Sequence, residues 1–279
     1  RTRMEAHAAR HPDRIVCLSE TRQGVSAARN KGMTIARGQW LQFLDADDVL
    51  YPDKLARQVA LLTSAEGAGT AVMVVGSYYL ERQDGSRTAY RTRPVADPLR
   101  FLAFRMLGQT SANLFRHAAV REAGGWAESL PHGGDCDLVF QLLLRNGPEG
   151  LRYDQRIGSV YRKREGQLTE SAPTEGYASI IRMRLNQLQS LQDKTNSGFS
   201  SHYLSAYRAA IYDACCTLGV HDRVAADRYF REHLGQQYKP TYLRNGNRTL
   251  LHIWLRSGLS FRQYLAVRLW AKAIKRFFT

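Results

Sequence analysis

Apolar and polar positions fall into two regimes along this 279-residue chain. Up to about residue 169, short apolar runs of strand length alternate with stretches of helical spacing. From about residue 174 only helical spacing remains. DRIVCLSE (13–20) is a β-prone run, and TRQGVSAARNKGMTIARG after it places Ala27, Ala28, Lys31, Ile35 and Ala36 at helical intervals before Gly38. WLQFLD (40–45) reads as a buried strand. YPDKLARQVALLTSA has Pro52 near a helix start, with Leu55, Val59 and Leu62 on one face. TAVMVVGSYYLE (70–81) is a second strand and DGSR (84–87) a turn. Residues 98–107 have helical spacing and SANLFRH (111–117) strand spacing. After GGW (124–126) a helix is expected from about Asp135 to Gly147, and GSVYRKREG (158–166) closes the mixed region. Four helices then follow: EGYASIIRMRLNQLQSLQ, SHYLSAYRAAIYDACCTLG, RVAADRYFREHLGQ and FRQYLAVRLWAKAIKRFF. The expected organisation is an α/β region over 1–169 and a basic helical region over 170–279.

The strand expected at 40–45 runs directly into Asp45, Asp47 and Asp48, three carboxylates within four positions. Two such charges 4 Å apart repel by about 4 kcal/mol in an effective dielectric near 20. A cation placed there would relieve the repulsion. Carboxylates in a D-x-D spacing at the C-terminal end of a strand suit a hard divalent ion such as Mg²⁺ or Mn²⁺, where open α/β sheets place their ligands. On spacing alone, a solvated acidic turn capping the next helix explains the cluster equally well, and Asp48 or Asp53 would suffice as the cap.

Composition narrows the field. The chain carries a net charge of +15, concentrated in its second half: residues 1–140 hold 18 basic and 15 acidic groups, residues 141–279 hold 22 and 10. Such a field attracts nucleic acid, anionic lipid or phosphorylated substrates. No zinc-finger, RRM or KH pattern is present and the cations are not interleaved with a regular aromatic array, so no nucleic-acid partner is expected. The four cysteines show no C-x-x-C spacing, which suits a reducing cytoplasm better than a zinc site or a disulfide framework. No apolar run approaches the 20 or so residues that span a bilayer.

GVSAARNKGMTIARGQWLQFLDADDVLYPDKLARQVALL resembles the donor-site segment of the family 2 glycosyltransferases of GT-A fold, which reads G-x-S-x-A-R-N-x-G, A-x-G, then an apolar strand into D-x-D-D. REAGGWAESLPHGGDCDLVFQLLLRNG resembles that family's acceptor-site segment, a G-G-F-like turn followed by E-D-x-D-L, and VYRKREGQLT resembles its Y-R-x-H-like close. The resemblance spans about residues 13–169 and implies a GT-A mixed sheet lacking the family's first nucleotide-binding strand, with an all-helical C-terminal extension. It implies an inverting, metal-dependent, hexosyltransferase-like enzyme. Such an enzyme moves a single sugar from a nucleotide-sugar donor to a cell-surface glycan or lipid-linked acceptor, with Mn²⁺ or Mg²⁺ as cofactor.

By the same resemblance Asp47 is the expected metal ligand, Asp45 lies nearer the donor's sugar or ribose and shares the metal site, Arg29 lies by the donor diphosphate, and Asp135 is the catalytic base. Asp48 is left as a helix cap and Asp137 as a first-turn carboxylate. Read without the resemblance, Asp135 is an ordinary N-cap. His132 is a lone loop histidine, and Trp126 suits an acceptor-sugar platform and a buried turn equally. Gly134 stands where the family has Glu, Gln141 where it often has Arg, and Arg164 where a His often helps hold the metal. The alternative function is a non-catalytic remnant of the same fold. The segment 259–279 sets Val267, Trp270, Ile274 and Phe278 against Arg262, Arg268, Lys272, Lys275 and Arg276. That composition suits either contact with an anionic membrane from the cytoplasmic side or packing on the catalytic region.

Overall fold

The computed structural model describes residues 2–64, 69–164, 172–195, 201–236, 238, 240 and 259–268. Its elements, in chain order, are α1 (Thr2–Arg10), α2 (Val25–Ile35), β1 (Trp40–Leu41), β2 (Val49–Leu50), α3 (Lys54–Thr63), β3 (Met73–Glu81), β4 (Arg87–Tyr90), α4 (Pro98–Phe104), β5 (Leu114–Arg116), α5 (His117–Glu122), α6 (Gly134–Asn146), β6 (Leu151–Arg162), α7 (Pro173–Thr195), α8 (Ser201–Leu218) and α9 (Arg223–His233). Residues 261–268 are also helical.

One mixed sheet organises the first region, in the order β1-β5-β3-β6-β2, with β4 pairing β3 beside β5. The fold is α/β, with the helices of the second region packed on it. β3 and β6 are parallel; every other pair is antiparallel. Met73, Val74 and Val75 of β3 are fully buried, as a central strand covered on both faces requires. Leu62 of α3, Ala71, Val74 and Leu114 make the smaller core on one face. Met73, Val75, Leu41 and Phe115 join α4 and α6 in the larger core on the other. That larger core continues without a break into the C-terminal helices. The Phe140 ring meets Tyr207 edge-on at 5.5 Å, and the Tyr207 hydroxyl donates to the Leu99 carbonyl.

Several expectations change here. The run 13–20 forms no strand: no described strand lies alongside it, and Ile15, Val16 and Leu18 stay exposed. β propensity without a ladder partner does not make a strand. In 40–45 only Trp40 and Leu41 pair, with Arg116 and Phe115; from Gln42 the chain leaves the ladder. β6 begins at Leu151, seven residues before the expected start, because its half-buried Arg152 and Tyr153 and its buried but charged Asp154 hide the apolar pattern. The buried face of α3 is Lys54, Gln58 and Leu62, whereas Leu55 is 42% exposed. In the last helix Phe261, Tyr264 and Leu265 are buried in the body of the protein and Val267 is exposed. Trp270, Lys272, Ile274, Lys275, Arg276 and Phe278 lie outside the described residues. Among the described residues no helix is long and apolar enough to cross a membrane.

At Gly76 β3 changes neighbours, from β5 at Met73–Val74 to β4 at Tyr78–Glu81, and its register with β6 shifts. The Asn113 side chain accepts from the Gly76 N–H at 3.0 Å, and a Cβ there would overlap the Ala112 carbonyl. Gly76→Ala should therefore lower the unfolding free energy by about 3 kcal/mol, the upper range for an overpacked core. Urea denaturation checks this, and a loss under about 1 kcal/mol would mean that β3 and the 109–113 loop are free to separate.

Candidate active site

The acidic cluster forms where β1 frays and β2 begins, and the structure treats its three carboxylates differently. Asp48 is 8% exposed. Its carboxylate accepts from Ser111 Oγ at 2.6 Å, from Gln109 Nε2 at 3.2 Å and from the Arg162 N–H at 3.1 Å, joining three separate segments. Burial raises its pKa above the ordinary carboxylate value against the opposing pull of the Ser111 and Arg162 hydrogen bonds, and the charges of Asp45 and Asp47 push the same way as burial. Asp48 is therefore a strut. It does not cap α3, whose N-cap is Asp53, and Asp53 makes no side-chain capping bond: its carboxylate pairs with Arg57 and Arg156.

Asp45 pairs with Arg29 Nη2 at 2.5 Å, and its backbone N–H donates to Ser111 Oγ at 3.3 Å. Arg29 also lies over the Trp126 ring, 4.2 Å from the centroid, and is only 14% exposed. A guanidinium held by a carboxylate and an aromatic face at once is fixed in orientation. Trp126 is 2% exposed and takes the Phe43 ring edge-on at 4.9 Å. Of its two readings, the buried turn is the one observed. Asn30 of α2 secures that turn, accepting from the Trp126 N–H and donating to the Trp126 carbonyl.

Asp47 is half-buried and receives no hydrogen bond or ion pair from any described residue. No group of three or more His, Cys, Asp or Glu side chains able to hold a metal exists among the described residues. The structure thus offers one open carboxylate beside a clamped one. That donor set fits a hard divalent cation which takes most of its oxygens from a bound diphosphate and water, as Mg²⁺ characteristically does. Arg164, at the position where a metal-holding His was expected, is exposed, and residues 165–169 of the motif lie outside the described set.

Asp135 sits in the first turn of α6. The helix is capped by Gly133 in the left-handed region, with φ 87°, so Asp135 is not the N-cap. Its Oδ1 accepts from the Cys136 N–H at 2.8 Å, and the residue is half-exposed. The preceding Gly134 lies against α2 and the Trp126 turn. A Cβ there would come within 3.1 Å of Ser26 Oγ in α2 and 3.7 Å of the Trp126 ring. A side chain at 134, where the motif has Glu, would crowd Ser26 and meet the Trp126 ring. Asp45, Arg29, Trp126, Gly134 and Asp135 form one continuous run of contacts and bonded neighbours. Asp137, also in the first turn, accepts from Gln187 Nε2 at 3.3 Å, and burial raises its pKa. His132 is held through its backbone by Ser179.

The sequence reading missed the polar layer beneath the acidic loop. Gln42 donates to the Ser111 carbonyl at 3.0 Å. Lys54, fully buried, donates to Gln42 Oε1, to Gln58 Oε1 at 2.8 Å and to the Asn113 carbonyl at 3.4 Å. Gln58 in turn donates to the Ala112 carbonyl at 3.0 Å. The layer fixes residues 42 and 111, and through Ser111 both Asp45 and Asp48. Its signal was present: Lys54 and Gln58 stand eight and four residues before Leu62, on the same helix face.

The Glycosyl transferase family 2 model matches residues 2–123. The match covers somewhat less than half of the chain. The family 2 segment contains α2, the acidic loop and Ser111; Trp126 and Asp135 follow it. Among curated relatives, the amylovoran biosynthesis glycosyltransferase AmsB of Erwinia amylovora is 41% identical over 69 residues, 25% of this chain and 23% of that protein. An uncharacterized glycosyltransferase of Rickettsia felis is 27% identical over 151 residues, 52% of this chain. The matches to these two relatives span less than a quarter of their own length, 23% and 24%. A Haemophilus influenzae glycosyltransferase, also uncharacterized, is 22% identical over 198 residues, covering 69% of this chain and 65% of that one. Among solved structures, the mannosyltransferase PcManGT of Pyrobaculum calidifontis, in complex with GDP-Man and Mn²⁺, aligns with a TM-score of 0.45 and 17% identity over 97% of this chain and 74% of that one.

Burial pulls the Lys54 ammonium down from 10.5 to about 7. The unfolded chain then binds this proton up to a higher pH than the folded one, so the unfolded state holds more protons between the two values. Stability contributed here rises with pH across that window. In urea titrations the advantage of wild type over Lys54→Met should widen from pH about 7 to about 10. An advantage that is flat or narrows would show that Lys54 keeps its proton in the fold.

Proposed function

We propose that the protein is an inverting glycosyltransferase that moves one sugar from a nucleotide-diphosphate donor to a hydroxyl of a cell-surface glycan or lipid-linked acceptor. The observation that carries this reading is the run of contacts from Asp45 through Arg29, Trp126 and Gly134 to Asp135. It joins a carboxylate pair suited to a donor's metal and diphosphate to a half-exposed carboxylate suited to an acceptor's proton.

In this mechanism Asp47 presents its open carboxylate to the metal, and Asp45, clamped by Arg29, faces the donor's sugar or ribose. Arg29 lies by the donor diphosphate, its guanidinium oriented by the Asp45 carboxylate and the Trp126 ring. A divalent ion of the Mn²⁺ or Mg²⁺ kind, when bound, supplies positive charge against the departing diphosphate. Asp135 receives the acceptor hydroxyl's proton as that oxygen bonds to the anomeric carbon. The bond from that carbon to the diphosphate oxygen breaks on the opposite face, its electron pair leaving with the nucleotide diphosphate. The Cys136 N–H holds one Asp135 oxygen and so orients the other. No covalent sugar–enzyme intermediate is needed. The chemistry suits a cytoplasmic enzyme working at the inner face of the cell membrane.

A screen of UDP-glucose, UDP-galactose and GDP-mannose, with Mn²⁺ and with chelator, should find metal-dependent turnover. Asp135→Asn should lower kcat by about a hundredfold or more, the range general-base help supplies, while donor KM stays within about twofold. Turnover by Asp135→Asn equal to wild type would remove the mechanism.

A further inference from the structure

Helix α7 belongs to the C-terminal helical region, outside the family 2 segment, yet one of its faces is spent on the turn that carries Asp135. Ser179, Met183 and Gln187 follow at intervals of four, so they lie on one stripe. Ser179 binds the His132 backbone twice: its Oγ accepts from the His132 N–H at 3.1 Å and donates to the His132 carbonyl at 2.9 Å. Met183 covers Gly133, where a Cβ would come within 2.7 Å of the Met183 Sδ. Gln187 Nε2 donates to Asp137 Oδ1 at 3.3 Å, and Arg184 Nη1 holds Gln187 from behind at 2.8 Å. Ser179 and Gln187 are fully buried, and Met183 is 1% exposed. Before this stripe, Gly176 lies beneath the His132 ring, 3.8 Å from it by the same measure.

The four contacts run in order along residues 132 to 137, and the other wall of the same turn is Ser26 and Trp126 against Gly134. The turn is therefore held between α2 and Trp126 on one side and α7 on the other. We propose that Ser179 and Gln187 are positioning residues for Asp135: α7 sets the place of the base relative to the donor site, so that the helical region forms part of the catalytic apparatus. The inference rests on Asp135 as the base. Buried polar contacts suit such a task better than apolar packing alone, because a displaced turn would leave the fully buried Ser179 hydroxyl and Gln187 amide without their partners across it.

The test uses the whole protein carrying Ser179→Ala and, separately, Gln187→Met. Each is read by amide hydrogen exchange over residues 131–137 and by steady-state transfer from whichever of the three nucleotide sugars the wild type turns over. Exchange in the turn should be about tenfold faster. The kcat should fall about tenfold or more, as small misplacements of reacting groups do, with donor KM within about twofold of wild type. A structural role alone moves kcat and the fraction of protein that binds donor together, and that result overturns the proposal. Unchanged exchange in both variants overturns the α7 contact whatever Asp135 does. Faster exchange in a protein whose Asp135→Asn variant is fully active overturns the base and with it the positioning role.

Discussion

Three carboxylates within four residues are tolerable only if each is met differently, and the rest of the site follows from how this chain does so. Asp48 is taken into the protein and given three donors, two from the 109–113 loop and one from β6. Asp45 is neutralised by Arg29, which is itself trapped on the Trp126 ring. Asp47 alone is left without a partner among the described residues. The repulsion that the spacing creates is thus relieved twice by the protein, and the third charge remains available to a cation. Ser111 is the joint of this arrangement, since its hydroxyl donates to Asp48 and accepts from the Asp45 N–H.

The same economy explains the layer below. A fully buried lysine with no carboxylate in its hydrogen-bonding shell is costly. Lys54 offsets that cost by donating to three carbonyl oxygens, two of them on side chains that reach the 109–113 loop or the chain leaving β1. Polar groups in such a layer specify one loop conformation because a shifted loop would strand several of them together. Arg57, on the neighbouring face of α3, completes the support by holding the buried Asp154 of β6 through paired hydrogen bonds.

Much of this was legible in the residue pattern and some was not, for identifiable reasons. β3 and α6 stand out because they are long and their burial is dense, so periodicity reports them well. The D-x-D spacing was expected at the end of a strand, but the strand stops at Leu41 and the acids lie in the loop before β2, because Gln42 turns its side chain to Ser111 and the chain leaves the ladder. The apolar reading of α3 chose Leu55 and Val59; the helix instead buries Lys54 and Gln58, since their polar ends find partners that no hydropathy scale can see. The run 13–20 has strand composition, but a strand needs a neighbour that composition cannot supply. The Asp45–Arg29 pair and the closeness of Gly134 to Ser26 are long-range contacts that no local pattern reports. The role of α7 is legible from neither, because Ser179 and Gln187 look like ordinary helix residues until the turn at 132–137 is laid against them.

The division of labour among the acids is most directly tested by titrating UDP and GDP into the protein with and without Mn²⁺, following heat. Asp47→Asn should lose the Mn²⁺-dependent part of nucleotide binding, at least about tenfold in affinity, the loss expected when an ionised metal ligand is removed. Its thermal midpoint should stay at the wild-type value, because Asp47 supports nothing in the fold. Asp48→Asn should lower that midpoint. Mn²⁺-dependent binding by Asp47→Asn as tight as wild type would contradict the assignment, and so would its loss in an Asp48→Asn protein of unchanged stability.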